Sequence, residues 1–313
     1  MIRKTIGSKD NTHFYKTKFR DAPGTFQLSE KQLKTLQATL LSILKDLIMV
    51  FEKEGINYTL SGGSALGAIR HQGFIPWDDD IDINMPRKDF EHLKKVFDKE
   101  LSDKYDLCAP EIGEGHGLSL VQIKKKGTVY KSFNELKKKN VGIYVDIFVL
   151  ENTYDNRIKR TIHGLACLAI GYALTCRKTA EDWEELEKYL VNNKELKRAF
   201  KKKKRIGELF KWIPLDDLTK ATKCCYSYCN YHNSKFVSIP SGRKHYFGEM
   251  YRREDMCESD GAIFEDLNVK IPKGIDNYMK ALYGNDYMII PAPEEREVHS
   301  VAALEFEEKI QIK

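Results

Sequence analysis

LSGGSALGAIRHQGFIPWDDDID, residues 60–82, joins a Gly-Gly-Ser turn to a dense group of carboxylates. Four aspartates stand within five positions: Asp78, Asp79, Asp80 and Asp82. Carboxylates this close repel one another, and a divalent cation is the usual group that neutralises them. Oxygen ligands favour Mg²⁺, Mn²⁺ or Ca²⁺ over zinc. A carboxylate-bound Mg²⁺ beside a glycine turn is typical of phosphoryl transfer.

The residues around this stretch switch between strand and helix patterns. Ile56–Leu60 predicts a short strand that runs into the glycines, and Ser64–Arg70 has the composition of a helix. Asp80–Met85 alternates polar and apolar residues, as a strand with one buried face does. Side chains two apart on a strand point the same way, so the aspartates at 78, 80 and 82 are predicted to share one face, with Asp79 opposite.

The turn itself has the chemistry of an anion site. Gly62 and Gly63 allow the backbone to approach an anionic ligand closely. The N–H groups at the start of the following helix favour negative charge, and Ser64 can donate to a phosphate oxygen. Together with the carboxylates, these groups would position a phosphate and neutralise charge as it develops.

A further carboxylate stands in the middle of an apolar strand pattern, VGIYVDIFVL, residues 141–150. A charge in such a place is rarely there for packing. Asp146 is therefore interpreted as a third metal or base carboxylate, and the alternative is a core aspartate held by a salt bridge.

The whole pattern predicts an α+β fold, with a mixed β-sheet core flanked by helices and a mostly helical C-terminal part. Residues 1–27 are predicted to be irregular, 28–155 to form the catalytic core, and 156–313 to complete the cleft. The other predicted elements are a helix capped by Ser29 and ended by Gly55, a helix over Lys88–Leu101, strands over Leu118–Ile123 and Thr128–Phe133, helices from Asn156 to Lys235, and a helix over Ile275–Tyr283.

Composition narrows the class of protein. The chain has 313 residues, of which 42% are hydrophobic and 31% charged, with a net charge of +6. We see no nucleic-acid-binding motif, no signal peptide and no membrane-spanning segment, so we expect a cytoplasmic protein. Gly164–Cys176 is the longest apolar-rich segment and predicts either a buried core helix or a helix at a membrane surface. Lysine runs could also attract a polyanionic substrate or the inner membrane face.

Seven cysteines without regular spacing are typical of free thiols in a reducing compartment. Cys224, Cys225 and Cys229 cluster, with His232 as a conceivable fourth zinc ligand. Ordinary thiols are the favoured interpretation, because the CxxC-like pairs of zinc sites are missing.

The glycine turn, the Asp-x-Asp strand and the later strand aspartate resemble the nucleotidyltransferase superfamily. More narrowly, GGSALGAIRHQGFIPWDDDIDI, VDIFVLENTY and VKIPKGIDNYMKALYGNDYM are similar to segments of the LicD family of phosphotransferases, which includes the fukutin-related proteins. The resemblance covers most of residues 55–300. It implies a CDP-linked donor, a glycan or lipid-linked glycan hydroxyl as acceptor, and transfer of phosphocholine or an alditol phosphate with release of CMP.

Carried onto this chain, the resemblance implies that Asp80 and Asp82 bind Mg²⁺ or Mn²⁺, with Asp146 as third carboxylate, and that Gly63 and Ser64 hold the donor phosphate. The gap from Ser64 to Asp80 is longer than in many superfamily members, and Asp78 with Asp80 also forms an Asp-x-Asp pair. The zinc-binding loop of eukaryotic relatives has no counterpart here. Other candidate substrate-binding residues are Arg70, Trp77, Asp78, Arg243, Arg252, Arg253 and His299.

Trp77 has two interpretations, a packing anchor for the aspartate loop or a cation–π platform for choline. Three other functions compete with the phosphotransferase. A nucleotidyltransferase would use the same aspartates but release pyrophosphate. A calcium-binding loop would use Asp78, Asp80, Asp82 and Asp89, although Ile83 stands where the turn of an EF-hand needs glycine. A scaffold that has lost activity is the third.

Overall fold

The computed structural model describes residues 25–112, 117–132, 137, 141–191, 194–296 and 301–306. Its helices are α1 (Glu30–Glu54), α2 (Gly62–His71), α3 (Arg87–Glu100), α4 (Arg157–Glu181), α5 (Trp183–Tyr189), α6 (Lys194–Glu208), α7 (Leu215–Tyr226), α8 (His245–Gly248), α9 (Arg253–Cys257) and α10 (Ile275–Tyr283). Its strands are β1 (Thr59–Leu60), β2 (Asp82–Pro86), β3 (Tyr105–Cys108), β4 (Val121–Lys125), β5 (Val129–Ser132), β6 (Tyr144–Asn152), β7 (Phe236–Ser238), β8 (Met250–Arg252), β9 (Ser259–Phe264), β10 (Leu267–Pro272) and β11 (Val301–Glu305).

The first helix has both of the ends that its sequence predicts. Ser29 forms a capping box with Gln32, whose backbone N–H donates to Ser29 Oγ over 3.3 Å. Gly55 ends the helix in the left-handed region at φ +65°, which glycine adopts without strain. Between these caps, α1 buries an apolar stripe that includes Leu40, Leu44 and Leu47.

A mixed sheet forms the centre of the protein, as predicted. Its strand order is β1-β2-β6-β4-β3, and β7 extends it from the end of β6 to β8. β2 and β6 run parallel, whereas the other pairs are antiparallel. The helices α1 and α3 both contact β6. The likeness of this sheet to the nucleotidyltransferase fold stays a prediction.

The two faces of β6 have different environments. Val145 and Ile147 are buried in the apolar core, whereas Tyr144 and Asp146 point to the other face and are partly exposed. Successive side chains of a strand alternate between faces, so the charge that interrupts the apolar pattern lies on the open side of the sheet.

Some predicted strand boundaries were wrong. β2 begins at Asp82, two residues later than predicted, and β3 was not predicted. The strand predicted over Thr128–Phe133 is β5, and Phe133 lies outside the described residues. Short strands give little periodicity, so their ends depend on pairing partners that the local sequence does not contain.

The prediction of a mostly helical C-terminal part holds for residues 157–226 and is wrong beyond residue 235. There, β9 and β10 form a hairpin, and β7 and β8 extend the central sheet. β11 returns to pair with β5. These strands find partners far away in the sequence, which is why local patterns did not reveal them. The helix α10 has the predicted bounds.

Among the described helices, none combines the length and apolar character needed to cross a bilayer.

Candidate active site

Asp82 and Asp146 lie side by side on the parallel strands β2 and β6, where they are Cα partners. Gln122 on β4 is the partner of Asp146 on its other side. Its Nε2 donates to Asp146 Oδ1 over 3.0 Å. Partner residues of adjacent strands project to the same face. Three polar side chains from three strands therefore form one row. The sequence predicted the two aspartates but not Gln122, which lies in a buried strand without alternation.

A buried lysine belongs to the same face. Lys124 is two residues beyond Gln122 on β4, so the two side chains point the same way. Lys124 is only 1% exposed, and its Nζ lies 5.6 Å from the centre of the Tyr144 ring. Sequence reasoning missed it because it stands in a run of three lysines, which is typical of a solvated surface.

The aspartates before β2 form a compact group in a loop. Asp78, Asp79 and Asp80 each offer a carboxylate oxygen, and these three oxygens lie within 4.8 Å of one another. The prediction that Asp79 points away from its neighbours was wrong, because strand alternation does not apply before Asp82. The cluster combines all three carboxylates.

Hydrogen bonds from distant elements hold this loop. The Tyr130 hydroxyl on β5 donates to Asp79 Oδ2 over 3.1 Å. Burial, reinforced by the negative charge of Asp79, raises the pKa of Tyr130 well above its ordinary value, so the hydroxyl remains a donor. Gln37 Nε2 on α1 donates to the carbonyl of Asp78 over 2.8 Å.

The two glycines allow the carboxylates to approach the start of α2. A Cβ on Gly63 would lie 2.7 Å from Asp78 Oδ2, closer than real Cβ contacts allow. A Cβ on Gly62 would lie 3.3 Å from Asp82 Oδ2, and Gly62 has a φ of +47°, in the left-handed region. The start of α2 and the carboxylates of Asp78 and Asp82 therefore lie in direct proximity. Contact of these glycines with a phosphate stays a prediction.

Ser64 fixes the position of β2 relative to α2. It is buried, and its Oγ accepts a hydrogen bond from the backbone N–H of Asp82 over 2.9 Å. This contact joins α2 to the first residue of β2. The contact of Ser64 with a donor phosphate stays a prediction.

The hydroxyl of Tyr278 on α10 holds the glycine turn through hydrogen bonds. Sequence reasoning did not predict this residue as part of the site. Its hydroxyl accepts from the Gly62 N–H over 3.1 Å and lies 2.9 Å from Ser61 Oγ. Asn84 Nδ2 donates to the same hydroxyl over 3.4 Å. Burial raises the pKa of Tyr278 to about 12, so the hydroxyl is protonated at neutral pH. A buried tyrosine from the distant α10 thus sets the turn geometry.

Arg70 lies at the end of α2, where the C-terminal segment covers it. Its Nη1 donates to the carbonyls of Tyr287 over 2.9 Å and of Ile289 over 3.4 Å, and its Nε donates to His71 Nε2 over 3.0 Å. Partial burial lowers the pKa of Arg70, and the charge of Asp78 acts in the opposite direction. Arg70 is therefore near the aspartate loop, and its contact with substrate phosphate stays a prediction.

Trp77 packs against the main apolar core and is partly buried. The guanidinium carbon of Arg296 lies 4.1 Å from the centre of the Trp77 ring, a cation–π geometry. One face of Trp77 is thus already in contact with a cation of the chain itself. The predicted packing role agrees with this position, and the choline platform stays a proposal.

Two candidate arginines have structural contacts elsewhere. Tyr251, beside Arg252 on β8, contacts Tyr278 edge to face, with 5.2 Å between the ring centres. Arg252 consequently points to the opposite face, where it is exposed and pairs with Glu254 over 3.0 Å. Arg253 donates to Asn152 Oδ1 and to Ser234. These are contacts within the chain, and the predicted contacts of both arginines with substrate stay predictions.

Arg243 is in the loop between β7 and α8, and its role stays a prediction. His299 lies outside the described residues.

Two alternative metal sites do not form as the sequence suggested. Asp89 Oδ1 accepts hydrogen bonds from the Asn57 backbone and side chain over 2.9 and 3.2 Å, so Asp89 caps another segment instead of closing a calcium loop. Cys224 and Cys225 are neighbours in the sequence but have different environments. Cys224 is exposed, whereas the sulfur of Cys225 lies 3.9 Å from that of Cys167, with His163 beside them. His232 instead contacts Asn152.

The donor set fits a hard divalent cation. Asp78, Asp79 and Asp80 supply a tight group of carboxylate oxygens, and Asp82 and Asp146 continue it along the sheet. These are all oxygen donors, the set that Mg²⁺ and Mn²⁺ prefer. Because the two glycines have no side chains, the carboxylates of Asp78 and Asp82 can approach the start of α2.

This chain is similar to proteins of one known family. Residues 55–164 match the family described as "LicD/FKTN/FKRP, nucleotidyltransferase domain". The chain is 24% identical over 275 residues to the lipopolysaccharide cholinephosphotransferase LicD of Haemophilus influenzae, an alignment that covers 86% of this chain and 96% of that protein.

Two shorter matches centre on part of the chain. The human ribitol 5-phosphate transferase FKRP is 28% identical over 99 residues, which cover 32% of this chain and 20% of that protein. The Rickettsia prowazekii protein RP689, whose name states no function, is 37% identical over 75 residues, or 22% of this chain and 28% of that protein. The similarity to both proteins is therefore restricted to a domain-sized segment.

Proposed function

Because residues 55–164 of this chain form a LicD-family domain, we propose that the protein is a metal-dependent phosphotransferase. It moves a phosphocholine or alditol-phosphate group from a CDP-linked donor to a hydroxyl of a glycan or lipid-linked glycan, and CMP leaves. The observation that carries the proposal is the row formed by Asp82 and Asp146 beside the aspartate loop. A site with this much negative charge can bind an anionic diphosphate substrate only when a cation is also bound.

Mg²⁺ or Mn²⁺, held by Asp80, Asp82 and Asp146 with Asp78 nearby, would neutralise the charge of the donor diphosphate. Asp146 would also accept the proton of the acceptor hydroxyl. Gln122 Nε2 donates to Asp146 Oδ1 and so helps to orient this carboxylate. Lys124 adds positive charge on the same face as Gln122.

The glycine turn would hold the donor phosphate. The start of α2 presents backbone N–H groups, and Tyr278 keeps Gly62 in a left-handed conformation by accepting its N–H. The N–H groups of the next residues, Gly63 and Ser64, belong to the same first turn of α2 and would donate to the donor phosphate. Arg70, at the other end of this helix, approaches the donor only if the segment around Tyr287 moves, since that backbone accepts its hydrogen bonds.

The relatives suggest two transferred groups. The name of one relative states a choline phosphate transfer, and that of the other states a ribitol 5-phosphate transfer. The longer alignment favours the first. The Arg296–Trp77 contact is relevant to this choice, because a quaternary ammonium group would compete for the same aromatic surface. The enzyme would act in the cytoplasm, in contact with the inner membrane face when its acceptor is lipid-linked.

Thermal stabilisation by a ligand panel tests the proposal. The panel contains CDP-choline, CDP-ribitol, CDP-glycerol, CMP, CTP, UTP and ATP, each with and without Mg²⁺. A ligand at 100 times its Kd stabilises the folded state by about 2.7 kcal/mol. We expect one CDP-linked compound to stabilise the protein only when Mg²⁺ is present. Stabilisation by a nucleoside triphosphate alone, with pyrophosphate as the product, would favour a nucleotidyltransferase instead.

A further inference from the structure

One face of α4 is apolar and exposed along most of the helix. Ile158 is 71% exposed, Ile162 63%, Leu165 57% and Tyr172 48%, and the exposed Ala169 lies between the last two. These five residues follow steps of three and four, so they form one line along the helix. We refer to them as the α4 stripe.

The other side of α4 is also apolar, and it is buried. Cys167, Leu174 and Cys176 are at most 3% exposed. α6 and α7 pack against this helix. The fold therefore satisfies one apolar face of α4 with its own helices. A helix at the surface ordinarily turns polar residues outward, so a contiguous apolar stripe there indicates an interaction surface.

The region that carries the stripe is strongly basic. Residues 156–226 contain 17 Lys and Arg against nine Asp and Glu, although the whole chain has a net charge of only +6. Exposed basic residues include Arg157 and Lys159 at the start of α4, and Lys201 and Lys202 on α6. The rest of the chain is consequently slightly acidic. The positive charge of the chain is therefore concentrated in the helical region to which the stripe belongs.

An exposed tryptophan lies at the other end of α4. Trp212 is 81% exposed, and its neighbour Ile213 accepts a hydrogen bond from Arg177 of α4 over 3.2 Å. Leu209, just after α6, is 71% exposed. Tryptophan and tyrosine favour the zone between lipid headgroups and acyl chains, because one part of each ring is apolar and another forms hydrogen bonds.

Charge decides between two occupants of this surface. A second copy of the chain in a symmetric dimer would place the same patch against itself, and two basic regions would repel. An anionic lipid surface takes up the apolar stripe and attracts the exposed basic residues of the same helical region. We propose that the α4 stripe docks this protein on an anionic lipid bilayer, with the helix lying in the plane of the interface.

Flotation of the full-length chain with lipid vesicles tests the proposal. One set contains phosphatidylcholine alone, and the other contains about 30% phosphatidylglycerol, an anionic lipid. We expect binding to the anionic vesicles that weakens as salt is added, because screening reduces attraction to exposed lysines. Absence of binding, or equal binding to both sets of vesicles, would overturn the proposal.

Matched variants separate the stripe from a general charge effect. Leu165→Asp places a charge in the middle of the stripe and is expected to weaken vesicle binding by about tenfold or more. Thr175→Asp adds the same charge to an exposed position on a different side of α4 and is expected to bind almost as well as the wild type. Equal losses in the two variants would contradict a docking role for the stripe. Circular dichroism melting of both variants checks that they fold.

Light scattering after size-exclusion chromatography tests the other occupant. A dimer that Leu165→Asp dissociates would assign the stripe to a second copy and overturn lipid docking. Vesicle binding requires no turnover, so its failure would leave the proposed transferase activity standing, and failure of that activity would leave the docking result standing.

Discussion

Asp82 and Asp146 are Cα partners on adjacent parallel strands, although 64 positions of sequence separate them. Neighbouring strands lie about 4.8 Å apart, so two carboxylates on the same face of the sheet meet at close range. Asp78, Asp79 and Asp80 add negative charge directly before Asp82. The arrangement is unfavourable for the apo protein and favourable for a bound divalent cation.

The first prediction concerns this pair. Asp82→Asn is expected to lower phosphotransfer by about 100-fold or more, because a neutral amide no longer neutralises the metal or orients it toward the developing charge. Mn²⁺ affinity, measured by electron paramagnetic resonance, is expected to fall in parallel. In the absence of metal the melting temperature is expected to rise, since one like-charge repulsion disappears.

Asp98→Asn is the matched control for Asp82→Asn, because Asp98 is an exposed residue near the C-terminal end of α3. It is expected to retain activity and Mn²⁺ affinity. Near wild-type Mn²⁺ binding by Asp82→Asn would remove Asp82 from the metal site, whatever happens to its activity.

The second prediction concerns the glycine beside Asp78. Gly63→Ala is expected to reduce Mn²⁺ affinity and activity, because its Cβ would lie 2.7 Å from Asp78 Oδ2 and displace that carboxylate. Gly261→Ala is the control, since nothing lies within 4 Å of a Cβ at that position. Isothermal titration with Mn²⁺ measures both variants. Equal Mn²⁺ affinity in Gly63→Ala and wild type would mean that the Asp78 carboxylate does not depend on the glycine.

The third prediction concerns the hydroxyl under the glycine turn. Tyr278→Phe leaves the Gly62 N–H without its acceptor, and such a loss costs about 1–3 kcal/mol in the free energy of unfolding. Urea denaturation measures this loss, and Tyr231→Phe, at an exposed tyrosine, is expected to change little.

The contribution of the Tyr278 hydroxyl to the free energy of unfolding is expected to decrease at high pH. Burial raises the pKa of Tyr278 to about 12 from an ordinary 10.0, so the folded state holds this proton more tightly than the unfolded state. Its contribution to stability is complete below pH 10 and is lost as the pH rises toward 12. The difference in unfolding free energy between wild type and Tyr278→Phe is therefore expected to shrink over that range. A difference that stays constant would contradict the linkage.

The fourth prediction concerns a buried ion pair at the end of the sheet. Arg87 donates to Glu151 through Nε over 3.0 Å and also through Nη2, and the Glu151 side chain is only 3% exposed. Glu151→Gln leaves the guanidinium charge without a buried counter-charge, and we expect a loss of about 3 kcal/mol or more in unfolding free energy.

Glu91→Gln removes the exposed partner of the same arginine, with a side chain 41% exposed, and is expected to cost about 1 kcal/mol or less. Thermal and urea denaturation of both variants provide the comparison. Equal losses of unfolding free energy in the two variants would contradict the prediction that the buried carboxylate contributes more to stability than the exposed one.

Helices with strong local signals were predicted well. The caps of α1 are the Ser29 and Gly55 of the sequence, and α10 begins and ends as predicted. Caps and apolar periodicity are properties of neighbouring residues, so they can be recognised without the fold. The aspartate loop was located correctly, but the direction of Asp79 was not, because that depends on where β2 begins to pair.

Long-range partners were harder to predict. Gln122, Lys124 and Tyr278 belong to the site only because β4 and α10 pack beside β2 and β6. Arg252 was a candidate phosphate ligand in the sequence, and in the structure it is exposed on β8 and pairs with Glu254. The identity of a residue does not say which face of a short strand it occupies.

The sequence by itself determined the chemical groups of the candidate site: a glycine turn, crowded carboxylates and a later strand aspartate. These groups can be recognised without the fold because they are local patterns of charge and backbone freedom. The tertiary structure alone decided which carboxylates meet, since the parallel register of β2 and β6 places Asp82 against Asp146. It also decided which apolar face of α4 is buried and which is exposed. Both outcomes depend on contacts between residues distant in sequence, where packing overrides local preference.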